Sequence, residues 1–436
     1  MLEERIEPRT LDGQGARTWD AAVVGAGYVG VPLAHTLASA GRSVLLIDVS
    51  PQVVDGLNRG ESHIADIPSD QLKPLVERGQ IVATTDYNEL RRADAILIAL
   101  PTPLSKQREP DLSIVTGAAE QISLRLRNGH LVVLESTTYP RTTRDVIKPI
   151  LESTGLKAGE DFHLAFSPER VDPGNKTWTT KNVPKVVGGI TPECTERAAQ
   201  LYEGAVETVH RVSTPEAAEL TKLLENIFRS VNIALVNELA QLCERMGIDV
   251  WEVVEAAATK PFGFMSFQPG PGLGGHCIPI DPFYLTWKAR EYDFSTEFIE
   301  LAGKVNENMP YYCRSLVSQA LNHGRQRSLR GSKILILGVS YKADISDTRE
   351  SPAIKLMELL KAAGAELAYH DPFVPELPAA ELRSVALEPE NHDCVVIVTA
   401  HSQIDYADVV ERSHVVVDLR NATGPDGRTN PKVWTL

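Results

Sequence analysis

The chain has 436 residues and a net charge of −14, from 44 Lys and Arg against 58 Asp and Glu. A chain of this length usually divides its hydrophobic core between two or three domains, and its hydrophobic content of 43% is ordinary for a globular protein. The acidic balance repels phosphate polymers and anionic lipid, so we expect neither a nucleic acid nor a membrane as a partner.

The five cysteines, at positions 194, 243, 277, 313 and 394, are widely spaced and form no CxxC pair. This pattern argues against a disulfide framework and a zinc site, and it favours a reducing compartment, which we take to be the cytoplasm. The histidines are scattered without ligand spacing, so no metal is expected. No apolar run approaches the roughly 18 residues of a membrane span, and residues 1–18 lack the apolar core of a signal peptide, so we expect a mobile arm there.

The first predicted elements form a dinucleotide-binding βαβ motif. An apolar run at 21–24 leads into GAGYVG at 25–30, a helical pattern follows over 31–40, and a second strand over 43–47 ends at Asp48. A GxGxxG hexapeptide alone is a weak indication. The preceding strand, the following helix and the acid at the end of the next strand together predict a nucleotide site.

Each glycine of the hexapeptide has a physical task. Gly25 permits the tight turn, Gly27 lets the backbone approach a pyrophosphate, and Gly30 lets the helix pack closely on the strand. Asp48 is placed to accept hydrogen bonds from a ribose diol, which favours NAD over NADP. The alternative is a tight structural turn without a ligand.

Two further apolar runs, at 95–100 and 130–134, are predicted as parallel strands of the same sheet. Each is followed by a polar segment, which contains Thr102 after the first strand and Thr137 after the second. Because the carboxyl ends of parallel strands face the cofactor in such sheets, both hydroxyls are candidate cofactor contacts. Ordinary turn residues are the alternative.

Residues 213–246 form the longest predicted helix, with leucines at three- and four-residue steps, and a helix of this kind needs burial along its length. Lys222 and Asn226 are four residues apart and therefore lie on one face, where an ammonium and an amide can serve one site. The alternative is a solvated lysine beside a surface asparagine.

Residues 261–282 form a predicted loop that carries a candidate nucleophile. Two glycine-rich runs, 269–272 and 274–275, interrupt any regular element just before Cys277, and Asp281 follows four residues later. A small buried hydrophobe is the alternative for this cysteine. Together with the upstream dinucleotide motif, the loop favours an oxidoreductase that forms a covalent thiol adduct.

After residue 326 the βαβ pattern returns without a second GxGxxG. A strand pattern at 334–337 and a helix over 352–363 predict a second nucleotide-sized crevice that binds phosphate through side chains. Lys342 and Arg349 are the candidate cations. Surface ion pairs with neighbouring acids are the alternative for both.

Taken together, these motifs resemble the UDP-glucose/GDP-mannose dehydrogenase family over nearly the whole chain. Several independent motifs in the family's order are highly specific. They are GAGYVG at 25–30, PTP at 101–103, ST at 136–137, SPER at 167–170, the helix with Lys222 and Asn226, GGHC at 274–277, KADISDTRES at 342–351 and DLRN at 418–421.

The resemblance implies an α/β protein with two Rossmann-like doubly wound domains joined by a long central helix. The implied partner, besides a UDP-sugar, is a second copy of the chain in a homodimer or higher homo-oligomer. The expected domains are the mobile arm at 1–18, an NAD-binding Rossmann domain at 19–212, a central helical dimerisation domain with the cysteine loop at 213–325, and a UDP-binding Rossmann-like domain at 326–436.

The resemblance also implies a four-electron oxidation of a sugar CH2OH to a carboxylate with two NAD+, through a thiohemiacetal and a thioester. The implied catalytic residues are Cys277 as nucleophile, Lys222 and Asn226 as oxyanion donors, Asp281 for protons and water, Glu169 for hydrolysis, and Thr137 for positioning water. The predicted cofactor contacts are Gly25, Gly27, Tyr28, Val29, Gly30, Asp48, Thr102, Thr137 and Arg349. The predicted substrate contacts are Glu169, Arg170, Lys222, Asn226, Lys260, Gly274, Lys342 and Arg420.

Departures from the family pattern bear on the sugar. Family members that oxidise UDP-glucose often carry a second carboxylate where this chain has Pro173. Three segments look more like the UDP-N-acetylglucosamine 6-dehydrogenase branch: residues 169–175, which contain Pro173, residues 184–189 and residues 259–265. In addition, Lys260 stands near where many relatives place an arginine of the partner subunit. We therefore expect UDP-N-acetylglucosamine, with UDP-glucose, a dTDP-sugar such as dTDP-glucose, and UDP-N-acetylmannosamine as alternatives.

Two other classes of function are compatible with the sequence. A non-catalytic NAD-sensing protein would keep the glycine fingerprint but gain nothing from the thiol. A simple two-electron alcohol dehydrogenase would yield one NADH for each sugar.

Overall fold

The computed structural model describes residues 17–64, 66–105, 109–171, 175, 177–275 and 278–436. The chain divides into two compact units, Met1–Leu224 and Glu225–Leu436. Each unit contains its own predominantly parallel sheet. Among the described residues, no helix is long and apolar enough to cross a membrane.

The first unit is built on an eight-stranded sheet. Its strands are β1 (Trp19–Val24), β2 (Val44–Ile47), β3 (Ile81–Thr84), β4 (Ala93–Ile98), β5 (Leu131–Leu134), β6 (His163–Phe166), β7 (Lys185–Gly189) and β8 (Val209–Arg211). They lie in the order β3-β2-β1-β4-β5-β6-β7-β8, and all neighbours are parallel except β6 and β7. The strand order reverses between β1 and β4, so the carboxyl edge there is a topological switch point, where such sheets bind ligands.

Both faces of this sheet are buried. Alternate residues of β1 enter two different cores, with Ala21 and Val23 in one and Ala22 and Val24 in the other. The two-residue period of side chains along a strand makes this alternation necessary, and it explains why the strand reads as a continuous apolar run. The helices of this unit are α1 (Gly30–Ser39), α2 (Pro51–Asn58), α3 (Ser69–Glu77), α4 (Ser113–Ser123), α5 (Lys148–Leu151) and α6 (Pro192–Tyr202), with 3-10 turns at Tyr87–Arg92 and Glu152–Thr154 and a π-helical turn at Thr142–Ile147.

The second unit contains a five-stranded parallel sheet. The strands of this sheet are β9 (Lys333–Leu337), β10 (Glu366–His370), β13 (Cys394–Ile397), β14 (Val416–Asp418) and β15 (Val433–Thr435). A separate antiparallel hairpin consists of β11 (Glu376–Leu377) and β12 (Leu382–Arg383). The main sheet runs in the order β10-β9-β13-β14-β15, which places a second switch point between β9 and β13. The helices are α8 (Val250–Ala258), α9 (Asp281–Ala289), α10 (Glu297–Arg325), α11 (Pro352–Ala362), α12 (Tyr406–Arg412) and α13 (Gly424–Arg428), with 3-10 turns at Arg290–Tyr292, Pro378–Ala380 and Pro389–Asn391.

One helix, α7 (Pro215–Met246), begins in the first unit and ends in the second. Leu223 and Ile227 are buried, as the leucine pattern predicted, but the single chain does not bury the helix along its whole length. Large apolar side chains between 38% and 63% exposed recur on α7 and define the α7 stripe: Leu220, Leu224, Phe228, Leu235, Leu239, Leu242 and Met246. They are three or four residues apart, except for a step of seven between Phe228 and Leu235.

The predicted fold class is confirmed, since two predominantly parallel sheets with Rossmann-type strand order and the long helix α7 are present. Predicted element ends differ from the observed ones by a residue or two. The helix predicted at 213–246 begins at Pro215 because proline, which lacks an N–H, suits a first turn whose N–H groups have no intrahelical partner. The predicted domain boundaries stay a prediction, and residues 1–16 of the expected arm lie outside the described residues.

Candidate active site

The GAGYVG turn joins β1 to α1. Gly25 has a φ of 103°, in the left-handed region that glycine favours, and a Cβ at Gly30 would overlap the carbonyl oxygen of Gly25. A Cβ at Gly27, by contrast, would meet no heavy atom within 4 Å. The turn therefore leaves open space beside Gly27 at the N-terminus of α1, which fits the pyrophosphate of NAD.

Asp48, directly after β2, lies against this turn. Its Oδ2 accepts a hydrogen bond from the backbone N–H of Ala26 at 3.0 Å, and its Oδ1 accepts one from Ser50 N–H at 2.9 Å. These bonds fix the carboxylate at the edge of the sheet where the ribose of a dinucleotide binds. Tyr28, the predicted cofactor contact inside the turn, is 46% exposed.

Thr102 and Thr137 come together after β4 and β5. The buried hydroxyl of Thr102 donates a hydrogen bond to the carbonyl oxygen of Thr137 at 2.7 Å, and Leu100 N–H donates to Ser136 Oγ at 3.0 Å. The two polar segments are thus tied to each other at the switch point. The hydroxyl proton of Thr102 is thus used in a bond to the backbone of Thr137. The side chain of Thr137 is half-buried and stays a predicted contact with the cofactor.

Glu169 and Arg170 follow β6. Glu169 Oε1 accepts hydrogen bonds from the backbone N–H groups of Arg170 and Val171, both at 2.8 Å, which fixes the carboxylate of Glu169. Arg170 Nη1 donates to the carbonyl oxygen of Pro184 at 2.6 Å. Pro173, which bears on the choice of sugar, lies outside the described residues.

Glu219 was missed by the sequence reasoning. It is fully buried on α7, and its carboxylate accepts hydrogen bonds from Arg141 N–H at 2.6 Å, Thr143 N–H at 2.8 Å and Thr143 Oγ1 at 2.7 Å. Burial raises the pKa of Glu219 to about 7 against the opposing effect of these bonds. It anchors the segment after Thr137 to the helix that carries Lys222. The sequence did contain one indication of its importance. Glu219 lies three residues before the candidate catalytic Lys222, and residues at this spacing share nearly the same helix face.

Lys222 and Asn226 are 8% and 5% exposed, so the alternative of a solvated surface pair is not what the structure has. Asn226 Nδ2 donates a hydrogen bond to Oδ2 of Asp281, which is 2% exposed and begins α9. No hydrogen-bond or ion-pair partner of Lys222 is found among the residues that the structure describes. A buried ammonium and a buried amide on a rigid helix are suited to bind a developing negative charge.

Cys277, the predicted nucleophile, lies outside the described residues. The two glycines before it pack on Tyr341: a Cβ at Gly274 would lie 2.5 Å from Tyr341 Cβ, and Gly275 has a φ of 91°. Gly275 N–H donates to the carbonyl oxygen of Arg349 at 3.1 Å. Within the second unit, the stem of the cysteine loop is therefore attached to the segment that carries Lys342 and Arg349.

The segment after β9 folds back on itself. Tyr341 N–H donates to Asp347 O at 3.0 Å, and Ser340 Oγ donates to the carbonyl oxygen of Lys342 at 2.8 Å. Arg349 forms an ion pair with Asp347, with Nη2 to Oδ2 at 2.6 Å, as the surface-pair alternative proposed. Lys342 is half-buried.

A buried histidine, also missed, clamps this segment to β10. His401 Nε2 lies 3.0 Å from Asp371 Oδ2, and His401 Nδ1 accepts a hydrogen bond from Asp344 N–H at 3.0 Å. Burial would raise the pKa of Asp371, but hydrogen bonds from His401 and from the N–H of Val339 outweigh burial and lower it. This pairing could not be predicted from the sequence because Asp371 follows β10 whereas His401 follows β13.

Arg420 follows β14. Its Nε donates to Val398 O at 3.0 Å, and a Cβ at Gly270 would lie 2.5 Å from Arg420 Nη1, so the guanidinium lies against the glycine-rich run before the cysteine. Burial lowers the pKa of Arg420. Lys260, by contrast, is exposed, with its ammonium 5.1 Å from the centre of the Phe262 ring.

Three models of one family match the chain in order. The NAD binding domain of the UDP-glucose/GDP-mannose dehydrogenase family matches residues 20–206, its central domain 216–308, and its UDP binding domain 335–425. The chain belongs to this family. The UDP-glucose/GDP-mannose dehydrogenase resemblance and the NAD cofactor are confirmed, and the protein is an NAD-dependent UDP-sugar dehydrogenase.

Relatives within the family differ in their sugars. An NDP-N-acetyl-D-galactosaminuronic acid dehydrogenase of Ralstonia nicotianae is 38% identical, over 92% of this chain and 95% of the relative. A UDP-N-acetyl-D-glucosamine 6-dehydrogenase of Pseudomonas aeruginosa is 32% identical, over 92% and 96%. A solved structure of UDP-D-ManNAc dehydrogenase from Pyrococcus horikoshii superposes with a TM-score of 0.87 at 32% identity, over 95% of this chain and 98% of the other.

Proposed function

We propose that the enzyme oxidises the C6 CH2OH of a UDP-N-acetylhexosamine to the carboxylate, with two NAD+ for each sugar. The observation that carries the proposal is the buried pair of Asn226 and Asp281, because Asp281 begins α9 four residues after the proposed nucleophile, Cys277. A buried carboxylate close to a thiol in sequence, bonded to a buried amide, supplies the groups that thiol addition and thioester hydrolysis need.

The reaction is proposed in three stages. Bound NAD+ accepts a hydride in each of the two oxidations. The alcohol is oxidised to an aldehyde, the Cys277 thiolate adds to C6, and the thiohemiacetal loses a second hydride to become a thioester. Lys222 and Asn226 stabilise the negative oxygen at each tetrahedral stage. Water then attacks the thioester, the C–S bond breaks, and the acid leaves.

Glu169 and Thr137 are assigned to the hydrolytic stage, and Asp281 to proton transfer. Glu169 is supported by the two backbone N–H groups that fix its Oε1, because a general base must be held at a defined place. Thr137 is supported by the hydrogen bond that holds its carbonyl oxygen at the switch point. We propose Arg349 as a cofactor contact.

Nucleotide-sugar binding is proposed for Lys342 and Arg420, with Arg170, Gly274 and Lys260 as further contacts. The attachment of the Gly274 region to the segment of Lys342 supports a common ligand for both. Arg420 is a planar cation held by Val398 O, which suits contact with a phosphate or a uracil ring.

The N-acetyl class is supported by the relatives at 38%, 34% and 32% identity, whose names all carry an N-acetyl sugar. UDP-N-acetylglucosamine, which the sequence favoured, is the first substrate to test, with its galacto and manno epimers, UDP-glucose and dTDP-glucose beside it. NADH absorbance and mass spectrometry of the sugar product are followed for each. The proposal expects two NADH for each sugar acid, with no acid from Cys277→Ala. One NADH for each sugar would refute it in favour of a simple alcohol dehydrogenase.

We further propose a homodimer in which the α7 stripe of one copy covers that of the other. The stripe is too extensive an apolar surface to leave in water, and a two-fold interface uses the same patch on both subunits. A cytoplasmic location is also proposed, supported by the four described cysteines, all free and buried.

A further inference from the structure

Three buried titratable side chains of the first unit have no role in the proposed reaction. Glu135 directly follows β5, Lys185 begins β7, and Tyr202 ends α6, and their residues are 1%, 4% and 1% exposed. Charged side chains are rarely buried so completely, because each loses its hydration and needs compensating contacts. Their contacts therefore show what the cluster holds in place.

The Lys185 ammonium lies between two carboxylates. Its Nζ is 2.6 Å from Glu135 Oε2 and 3.7 Å from Glu169 Oε2. The Tyr202 hydroxyl donates a hydrogen bond to the other oxygen of Glu135, and the Lys185 ammonium is 5.3 Å from the centre of the Tyr202 ring. Glu135 and Tyr202 thus fix the lysine that lies beside Glu169.

Glu169 meets this cluster through one oxygen only. Its Oε1 is occupied by two backbone N–H groups, whereas its Oε2 is buried and has no hydrogen-bond partner among the described residues. The Lys185 ammonium, at 3.7 Å, is too far for a strong hydrogen bond but near enough for charge attraction. The oxygen beside the lysine is therefore held in direction and still has lone pairs for a water molecule.

The charge state of the cluster follows from its contacts. Burial alone would lower the pKa of Lys185, but Glu135 and Glu169 outweigh burial and raise it, so the ammonium stays charged. Burial raises the pKa of Glu135, and Lys185 and Tyr202 act against that rise. The charged group that faces Glu169 from β7 is thus a cation at neutral pH.

We propose that Lys185, anchored by Glu135 and Tyr202, is a positioning residue that holds Glu169 for thioester hydrolysis. This inference rests on the proposed function. A water oxygen bonds to the thioester carbon, one water proton passes to Glu169 Oε2, the C–S bond breaks, and the proton moves on to the departing thiolate. The products are a sugar acid and a free thiol, and no electrons are exchanged with an external oxidant.

The test separates the oxidations from hydrolysis. Lys185→Met keeps the length of the side chain and removes the charge. In a rapid-mixing experiment it should still release two NADH for each subunit in the first turnover, and steady-state turnover should then fall by about tenfold or more. Intact-protein mass spectrometry should show the enzyme carrying the acyl group. Lys185→Arg should restore part of the steady-state rate.

Loss of the lysine leaves Glu135 buried without its cation, so a second variant guards against unfolding. Glu135→Gln with Lys185→Met removes both charges and should fold, release two NADH and accumulate the acyl-enzyme. Lys148→Met is the matched control. It removes a half-exposed cation of α5 that pairs with Glu152, and it should turn over like the wild type.

The outcomes are distinguishable. If the wild type releases one NADH for each sugar, the proposed function fails. If the wild type releases two NADH but the folded double variant turns over normally, the role of Lys185 is overturned while the function stands. The same conclusion follows if the double variant loses first-turnover NADH as much as steady-state turnover and carries no acyl group.

Discussion

Gly27→Ala tests whether the open space at the glycine turn is the path of the NAD pyrophosphate. The added methyl meets no protein atom within 4 Å, and Gly27 is not among the glycines with positive φ. Alanine should therefore fold without strain, and the smaller entropy of its unfolded chain can stabilise the unbound enzyme by up to about 1 kcal/mol. We therefore expect the added methyl group to clash only with a bound ligand.

The magnitude follows from the contacts that the methyl would displace. A backbone N–H that donates to a charged phosphate contributes about 1.5–3 kcal/mol. Loss of one such hydrogen bond weakens binding roughly 10- to 150-fold. Gly30→Ala should behave in the opposite way, because its Cβ overlaps the Gly25 carbonyl, and overpacking of this kind costs about 1–3 kcal/mol of folding free energy.

Thermal unfolding of the unbound protein and calorimetric titration with NAD+ measure the two effects separately. Binding of UDP, which is assigned to the second unit, is the control and should be the same in Gly27→Ala as in the wild type. If Gly27→Ala binds NAD+ as tightly as the wild type does, the pyrophosphate does not bind beside Gly27. A clear drop in its melting temperature without ligand would contradict the open space itself.

Three further predictions concern α7. Lys222→Ala should lower kcat by about 100-fold or more in the NADH assay, as expected for an oxyanion donor, and an unchanged kcat would remove it from the site. Glu219 has a folded pKa of about 7 against an ordinary value of 4.5, so the folded state binds its proton more tightly than the unfolded state does. The free energy of unfolding should therefore fall by about 3 kcal/mol as pH rises from about 4.5 to about 7, and urea titrations of Glu219→Gln should show a flatter profile. Leu235→Glu with Leu239→Glu should give monomers in analytical ultracentrifugation, and a dimer in this variant would exclude the α7 stripe as the interface.

The sequence predicted those features that depend on neighbours in the chain. The glycine turn, the acid at Asp48 and the i, i+4 pair on α7 are local patterns with one physical interpretation each, and the structure has them at those positions. The α7 stripe shows the limit of such patterns. Periodicity identifies the apolar positions of a helix. It does not tell which of these positions are covered by another part of the same chain.

Contacts between distant residues could not be predicted in this way. Glu135 and Lys185 are 50 positions apart, and each alone reads as an ordinary charged residue at the end of a strand. Only the sheet order, with β5 beside β6 and β6 beside β7, brings them together. The contact between His401 and Asp371 has the same origin, because the two residues follow different strands, β13 and β10.

Under the proposed roles of Lys342 and Cys277, the hydrogen bond from Gly275 to Arg349 would link nucleotide binding to the glycines that precede the nucleophile. In that proposal, a diphosphate bound by the segment containing Tyr341 would also order Gly274 and Gly275, so binding energy gained far from C6 would contribute to the reaction at C6. If the proposed function holds, a free N-acetylhexosamine without its UDP should react slowly even at a saturating concentration, rather than only bind weakly.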